Sequence, residues 1–231
     1  MEEWQVREAA LIGEERVERL KACSVLIFGV GGVGGYAAEA CCRAGIGRIT
    51  VVDHDTVALS NLNRQLIADT ETVGRKKAEL AVERIRRINP ECRAAAKDVF
   101  ADASNIASLI AEAEPDYIID AIDTVTAKLA IIRQAKESSV PVISSMGTGN
   151  KLRPEQFHIA DISKTSVCPL ARVMRKKLRD MHISGVTVLY SDEEPVRTGS
   201  RTPASISYVP AVGGLLIAGY VIRSLIGMEE K

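Results

Sequence analysis

Val25-Leu26-Ile27-Phe28-Gly29-Val30-Gly31-Gly32-Val33-Gly34 is the stretch from which the rest of the chain is read. The first four residues form an apolar, partly β-branched run of the length of a buried strand. Gly29, Gly31 and Gly34 follow at G-x-G-x-x-G spacing. In such a turn the first glycine permits the tight bend, the second lets a phosphate approach the backbone, and the third lets the next helix pack close. A small-residue helix carrying Ala37, Ala38 and Ala40 is expected next, ending at Gly45 as its C′ residue. Its first turn offers free N–H groups and the positive end of a dipole to an anion. Asp53 closes the second apolar run, Ile49-Thr50-Val51-Val52, at the distance where an acid grips ribose hydroxyls. The turn, helix and acid define a nucleotide site; they do not by themselves separate ATP from a dinucleotide.

Outward from this unit, apolar strands and amphipathic helices alternate through residue 145, which predicts a Rossmann-like, doubly wound, mainly parallel α/β sheet. Gly74 to Asn89 is expected to be a helix ended by Pro90, with Lys77 in its first turn and Arg84, Arg86 and Arg87 on a solvated face. A short strand over Cys92 to Val99 precedes a helix from Ser104, the expected N-cap, to Ala113. Asp116 to Asp123 reads as a buried strand ending in an acid, with Asp123 either capping the next helix or holding a metal. Val140 to Ser145 is the next strand.

Residues 150–231 form a C-terminal extension of two strands (Phe157 to Ile162, Val186 to Tyr190), a basic helix (Pro169 to Met181), an expected mobile loop (191–204) and a last apolar helix. Residues 1–22 are expected to be helical, and the whole of 1–231 is expected to be one domain. In the basic helix, Val173, Met174, Leu178 and Met181 are expected to face the core, leaving a stripe of Arg172, Arg175, Lys176, Lys177 and Arg179.

Composition narrows the function. The 231 residues carry 30 Lys+Arg and 30 Asp+Glu, so no global field recruits nucleic acid, and any RNA contact must come from a local patch. The most apolar segment, Val209 to Ile222, is too short to span a bilayer, so no membrane association is expected; the polar, acidic start does not read as a signal peptide. Five cysteines at irregular spacing fit reduced thiols and a cytoplasmic location. No Cys-x-x-Cys occurs, which speaks against structural zinc.

Immediately after Asp53, the segment His54 to Leu66 concentrates Asp55, Ser60, Asn61, Asn63, Arg64 and Gln65. Loops need turn formers there, but Arg64 and Gln65 exceed that need, and ligands bind outside the carboxyl ends of strands in open α/β sheets.

The ordered motifs G-V-G-G-V-G (29–34), V-D-H-D (52–55), S-N-L-N-R-Q (60–65), V-G-R-K-K-A (73–78) and D-A-I-D (120–123) resemble the ubiquitin-activating-enzyme-like (ThiF/MoeB/HesA) superfamily of ATP-dependent adenylyltransferases, over almost the whole chain. Within it, D-A-I-D-T and the block from Ile159 through D-I-S-K-T to P-L-A-R-V-M-R-K-K-L resemble the branch that dehydrates N6-threonylcarbamoyladenosine in tRNA. The resemblance implies ATP and Mg2+ as cofactors, Arg64 and Lys77 on the phosphates, and Asp123 as the metal-holding acid. It further implies Asp53 on the ribose, and Asp55, Asn61, Asn63 and Gln65 with Gly29, Gly31, Gly32 and Gly34 in the nucleotide pocket. Arg7, six residues before Gly13, would reach into the partner's site of a homodimer; the residues alone make it a solvated charge, and R-E-A-A-L departs from the usual R-Q.

The implied partners are tRNA carrying the modified adenosine and a sulfur-relay protein. The runner-up is an adenylyltransferase activating the C-terminal glycine of a small sulfur-carrier protein, against which the missing zinc cysteines weigh. A nicotinamide oxidoreductase would leave Arg64 and Lys77 without a task, and a nucleotide sensor would turn nothing over. Cys168, ahead of Pro169, is read as a spectator thiol.

Overall fold

A computed structural model describes residues 2–200 and 202–228. In chain order the elements are α1 (Val6–Ile12), α2 (Glu14–Ala22), β1 (Ser24–Phe28), α3 (Gly34–Arg43), β2 (Arg48–Val52), α4 (Lys77–Ile88), β3 (Arg93–Lys97), α5 (Ile106–Ala113), β4 (Tyr117–Asp120), α6 (Val125–Glu137), β5 (Val142–Ser145), β6 (Phe157–Asp161), α7 (Pro169–Asp180), β7 (Thr187–Ser191) and α8 (Tyr208–Leu225). Seven strands make one sheet in the order β3-β2-β1-β4-β5-β7-β6. All neighbours are parallel except β6, which runs antiparallel to β7. This is the α/β, Rossmann-like, mainly parallel architecture read from the alternation, and the C-terminal strands extend the same sheet.

β1 is buried at every residue. A strand buried on both faces needs helices on both sides. On one side, α3, α4 and α8 pack over Val25, Ile27, Ile49 and Val51. On the other, α5 and α6 cover Leu26, Phe28 and Ile118, and α7 with α6 covers Val186 and Val188. The order of strands reverses between β1 and β4, so the crevice at their carboxyl ends is the topological switch point.

Two glycines set the closest approaches. A Cβ on Gly34 would lie 1.8 Å from the Gly29 carbonyl oxygen, so only glycine lets α3 start against the end of β1. A Cβ on Gly214 would lie 2.2 Å from the Val33 carbonyl oxygen, which docks α8 on α3. Gly219 meets only the end of Arg223, so close packing does not explain it. α8 has 18 residues with mean hydropathy 1.4, long and apolar enough to cross a membrane by those criteria alone. It is longer than the segment expected from sequence, yet Val209, Gly214, Ile217, Ala218 and Val221 are buried within this fold. Gly45 (φ 78°) closes α3 in a Schellman arrangement, with Gly45 N donating to Cys42 O and Ile46 N to Cys41 O.

Several boundaries differ from the sequence reading. The strand expected to run to Asp123 stops at Asp120, because Asp120 turns into the core. α4 starts at Lys77, since Gly74 sits at φ 86° in a turn and donates to Val57 O. Ser104 does not cap α5: Asn105 occupies that position, and Ser104 donates to Asp102 instead. Arg84 and Arg87 are not simply solvated, as they pair with Glu39 and Glu83, and Arg86 donates to Ala94 O. Val173 is exposed because it points off the buried stripe of Ala171, Met174 and Leu178; Met181 falls in line with that stripe but lies just past the end of α7 at Asp180 and is also exposed. The loop expected to be mobile is tied down: Asn150 N donates to Ala204 O, Val196 N to Asn150 O, and the Glu193 carboxylate accepts from Leu152 and Arg153 N–H.

Candidate nucleotide site

The carboxyl ends of β1, β2, β4 and β5 open into a cleft of about 700 Å³. Its floor is the glycine turn. Gly29 (φ 85°) continues the ladder by donating to Val52 O at 2.8 Å. Asp53, just past β2, fastens the turn: its Oδ2 accepts from Val30 N at 2.9 Å and its Oδ1 from Asp55 N at 2.9 Å. Each carboxylate oxygen keeps a lone pair for a further donor. α3 begins with no side-chain cap; Gly35 N is taken by Gly31 O at 3.1 Å, and the other first-turn N–H groups, those of Gly34 and Tyr36, are left for an anion. A Cβ on Gly31 would make only ordinary contact with Gln65 Nε2 at 3.7 Å, so glycine here leaves the backbone bare rather than avoiding a clash.

The loop after Asp53 is pinned by a small antiparallel bridge between Thr56 and Lys76, with Lys77 N donating to Asp55 O and Val57 N to Arg75 O. That bridge delivers Lys77, the buried first residue of α4, into the cleft, where its Nζ lies 2.8 Å from Asp55 Oδ2. Burial pushes the Asp55 carboxyl up, but the hydrogen bond and charge of Lys77 outweigh it, and the net direction is down. Arg64 Nη1 donates to Ser60 O and Asn63 Oδ1, both at 2.9 Å, leaving three of five guanidinium donors for an anion. Asn61 is buried with its Oδ1 accepting from Ala58 N at 3.1 Å. Gln65 is also buried, and its Oε1 has no hydrogen-bond partner among the described residues. An orphan acceptor beside a bare glycine turn and two cations suits a polyphosphate nucleoside.

Asp123 stands on the loop after β4, exposed at the cleft wall. Among the described residues its one side-chain hydrogen bond comes from Thr124 Oγ1 at 3.4 Å, and α6 starts without a side-chain cap, so the helix-cap reading is not met. A carboxylate so weakly engaged beside the glycine turn suits a hard cation such as magnesium.

Of the residues singled out from sequence, Gly29, Gly31, Gly32, Asp53, Asp55, Asn61, Arg64, Gln65, Lys77 and Asp123 line this one cleft. Gly34 lies buried behind the turn. Asn63 does not line the cleft itself; its Nδ2 donates to the O of Ser205, a lining residue, at 3.0 Å, and its Oδ1 accepts from Arg64. Arg7 is exposed on α1 and does not line the cleft of its own chain.

The sequence reading missed His54 and Phe100, packed edge to face at 4.8 Å on one wall. It also missed the Gly147–Lys151 turn and Pro203 on the other. Proximity to a strand end marked His54 and the 147–151 turn, but nothing local marked Pro203. Asp53, His54 and Asp55 also bring three possible metal donors together, though the carboxylates are already engaged by Val30, Asp55 N–H and Lys77. All five cysteines are free and buried. Burial pushes the Cys41 and Cys42 thiols up to about 12 and Cys92 to about 11, so these three are inert packing groups.

A glycine-turn nucleotide cleft with a facing Arg–Lys pair and a free acid, on this sheet, defines an adenylate-forming type of site, and the chain belongs to the ThiF family, whose model matches residues 5–231. Within that family it is 41% identical over 238 residues to tRNA threonylcarbamoyladenosine dehydratase of Bacillus subtilis, covering 95% of this chain and 93% of the relative. Solved structures of the Escherichia coli tRNA N6-threonylcarbamoyladenosine dehydratase superimpose with TM-scores of 0.92 (AMP complex) and 0.91 (ATP complex) at 34% identity, covering 98% of this chain and 96% of each. Similarity to Escherichia coli molybdopterin-synthase adenylyltransferase is 38% over 127 residues, covering 55% of this chain and 50% of the relative.

Proposed function

We propose that this chain is an ATP-dependent dehydratase that adenylates the threonyl carboxylate of N6-threonylcarbamoyladenosine in tRNA and cyclises it with loss of AMP. The observation that carries the reading is one cleft uniting the glycine turn, Asp53, Arg64, Lys77 and Asp123, in a chain similar nearly end to end to dehydratases. In the first step a carboxylate oxygen attacks the α-phosphorus and the bond to pyrophosphate breaks. In the second, the neighbouring carbamoyl group attacks the activated carbonyl carbon, the bond to AMP breaks and a proton is lost. The carboxylate oxygen departs on AMP, so the product is the substrate less one water.

The chain's part is largely electrostatic and positional. Arg64 and Lys77 meet the charge that gathers on the phosphates, and the bare N–H groups of the turn hold them in place. Asp53 takes the ribose, and Gln65 Oε1 gains the donor it lacks. Asp123 is the residue to hold Mg2+, which supplies charge neutralisation on the phosphates when bound. Ring closure is intramolecular and needs no protein thiol, which leaves Cys168 a packing residue.

The same reading makes the enzyme a cytoplasmic homodimer in which exposed Arg7 serves the other copy's cleft, with a sulfur-relay protein as a further partner. Activation of a sulfur-carrier protein is less supported: that similarity covers about half of the chain, and no Cys-x-x-Cys is present.

The deciding experiment incubates the protein with ATP, Mg2+ and tRNA bearing N6-threonylcarbamoyladenosine, followed by mass spectrometry of the nucleosides. The expected product is lighter by one water, with AMP and pyrophosphate formed in equal amounts. AMP release with a sulfur-carrier protein and none with tRNA would overturn the reading.

A further inference from the structure

Several surface cations on this protein are held in ion pairs. Arg43 and Arg84 share Glu39, Lys76 pairs with Asp98, Lys97 with Glu112, Arg87 with Glu83 and Arg133 with Glu137. α7 is different. Among the described residues, its exposed Arg172, Lys176, Lys177 and Arg179 have no ion-pair partner, and its single acid, Asp180, is the last residue of the helix. Like charges at i,i+4, such as Arg172 and Lys176, destabilise a helix. The pattern therefore works against α7 unless something anionic covers it.

The fifth cation, Arg175, is withdrawn from the stripe. Its Nη1 donates to Thr165 O at 2.7 Å and Thr165 Oγ1 at 2.5 Å, which clamps the helix to the segment before it. Ala171, Met174 and Leu178 bury the opposite face, so the orientation of the four free cations is set by packing. Arg172, Lys176 and Arg179 follow one another at i, i+4 and i+7, along about 10 Å of helix at 1.5 Å per residue.

The stripe also has a direction. Cys168, Pro169 and Leu170, at the start of α7, form part of the cleft rim. Arg172 comes within one turn of that rim, and the other cations lead away from it. A cleft of about 700 Å³ holds ATP and a modified nucleoside but not the polymer attached to it. The chain leaving over this rim would meet an unpaired cation at once and three more beyond it.

We infer that the outer face of α7, through Arg172, Lys176, Lys177 and Arg179, is a docking surface for the RNA phosphodiester backbone, guiding the strand into the cleft. This rests on the tRNA reading above. Phosphate contacts position a nucleic acid without reading its sequence and make affinity salt-dependent.

The test measures binding of N6-threonylcarbamoyladenosine-bearing tRNA across a salt series. It compares the unmodified protein, Lys176→Glu/Lys177→Glu, and a control of equal charge change on the other side of the sheet, Arg16→Glu/Arg87→Glu, at two exposed positions. The α7 double variant should lose about tenfold or more in affinity near 0.1 M salt, and its log–log salt slope should be shallower by about 1.5, for two lost phosphate contacts. ATP affinity should be unchanged, and dehydration should show a raised KM for tRNA with kcat kept at saturation. The control should bind tRNA normally. Unchanged tRNA affinity in the α7 variant, or equal losses in both, overturns the docking surface. An unmodified protein that neither binds nor converts the tRNA is instead a failure of the functional reading itself.

Discussion

Lys128 Nζ lies 3.1 Å from Asp120 Oδ2, with both side chains fully buried, three residues upstream of the exposed Asp123. Ser144 Oγ donates to the same oxygen at 2.6 Å, and Ile122 N reaches Oδ1 at 3.4 Å. The triad ties the ends of β4 and β5 to α6 and anchors the loop that presents Asp123. Removing one partner of a buried pair strands a charge, which costs about 3–5 kcal/mol. Lys128→Met should lower stability by that amount in urea unfolding, and adding Asp120→Asn should return most of the loss. A single-variant cost below about 1 kcal/mol would show that the pair is not dry.

Asp123→Ala should abolish ATP-dependent turnover. Because its side chain neither caps α6 nor packs, stability should change by no more than about 0.5 kcal/mol. Thermal unfolding and a turnover assay at several Mg2+ concentrations check both halves. A near-normal kcat would remove the metal role.

Arg64→Ala and Lys77→Ala should each lower kcat for adenylation by about 10²–10³-fold, as expected for donors acting where charge develops. Equilibrium nucleotide binding should weaken much less. If KM rises while kcat holds, the two cations anchor ground-state ATP only.

Arg7 lies outside its own chain's cleft, so the role proposed for it requires a second copy. On the proposed homodimer, Arg7→Ala and Asp123→Ala proteins should each be inactive alone, and mixed subunits should regain part of the activity. Failure to complement, with subunit exchange verified by labelled chains, would confine Arg7 to a surface role.

Glu39, 12% exposed, accepts from Arg84 Nε at 2.7 Å and from Arg43 Nε at 2.8 Å, tying α3 to α4. Burial pushes its carboxyl up, the two arginines outweigh that, and the net direction is below the ordinary 4.5. A folded value below the unfolded one means stabilisation fully present above the unfolded value and lost as pH falls through the folded one. Glu39→Gln should therefore cost about 1.5–3 kcal/mol at pH 7, with the difference fading below about pH 4. A gap that persists unchanged into acid would assign the loss to packing.

What local sequence determines here is whatever depends on neighbours a few residues apart. G-V-G-G-V-G between an apolar strand and a small-residue helix can only be a tight βα turn, since Gly34 leaves no room for a Cβ. The same local logic located Asp53, Gly45 as the C′ residue of α3, and the strand–helix alternation. The polar cluster after Asp53 was legible because it exceeds what a loop requires.

Tertiary structure alone decided the rest, because those features depend on groups far apart in the chain. Asp120 and Asp123 look alike in D-A-I-D. Lys128 on the next helix and Ser144 on the next strand draw the first into the core and leave the second at the cleft. Asn63 sits in a motif with Arg64 and Gln65, yet it turns to Ser205, 142 residues away. In α7 the spacing puts Met174, Leu178 and Met181 on one face; contact with β7 and α6 buries the first two, while Met181, past the helix end at Asp180, is left exposed along with Val173. That packing also separates Arg175, held by Thr165, from the four cations left unpaired. Spacing along a chain fixes which residues can share a face, but which face is buried follows from the surface that happens to lie opposite.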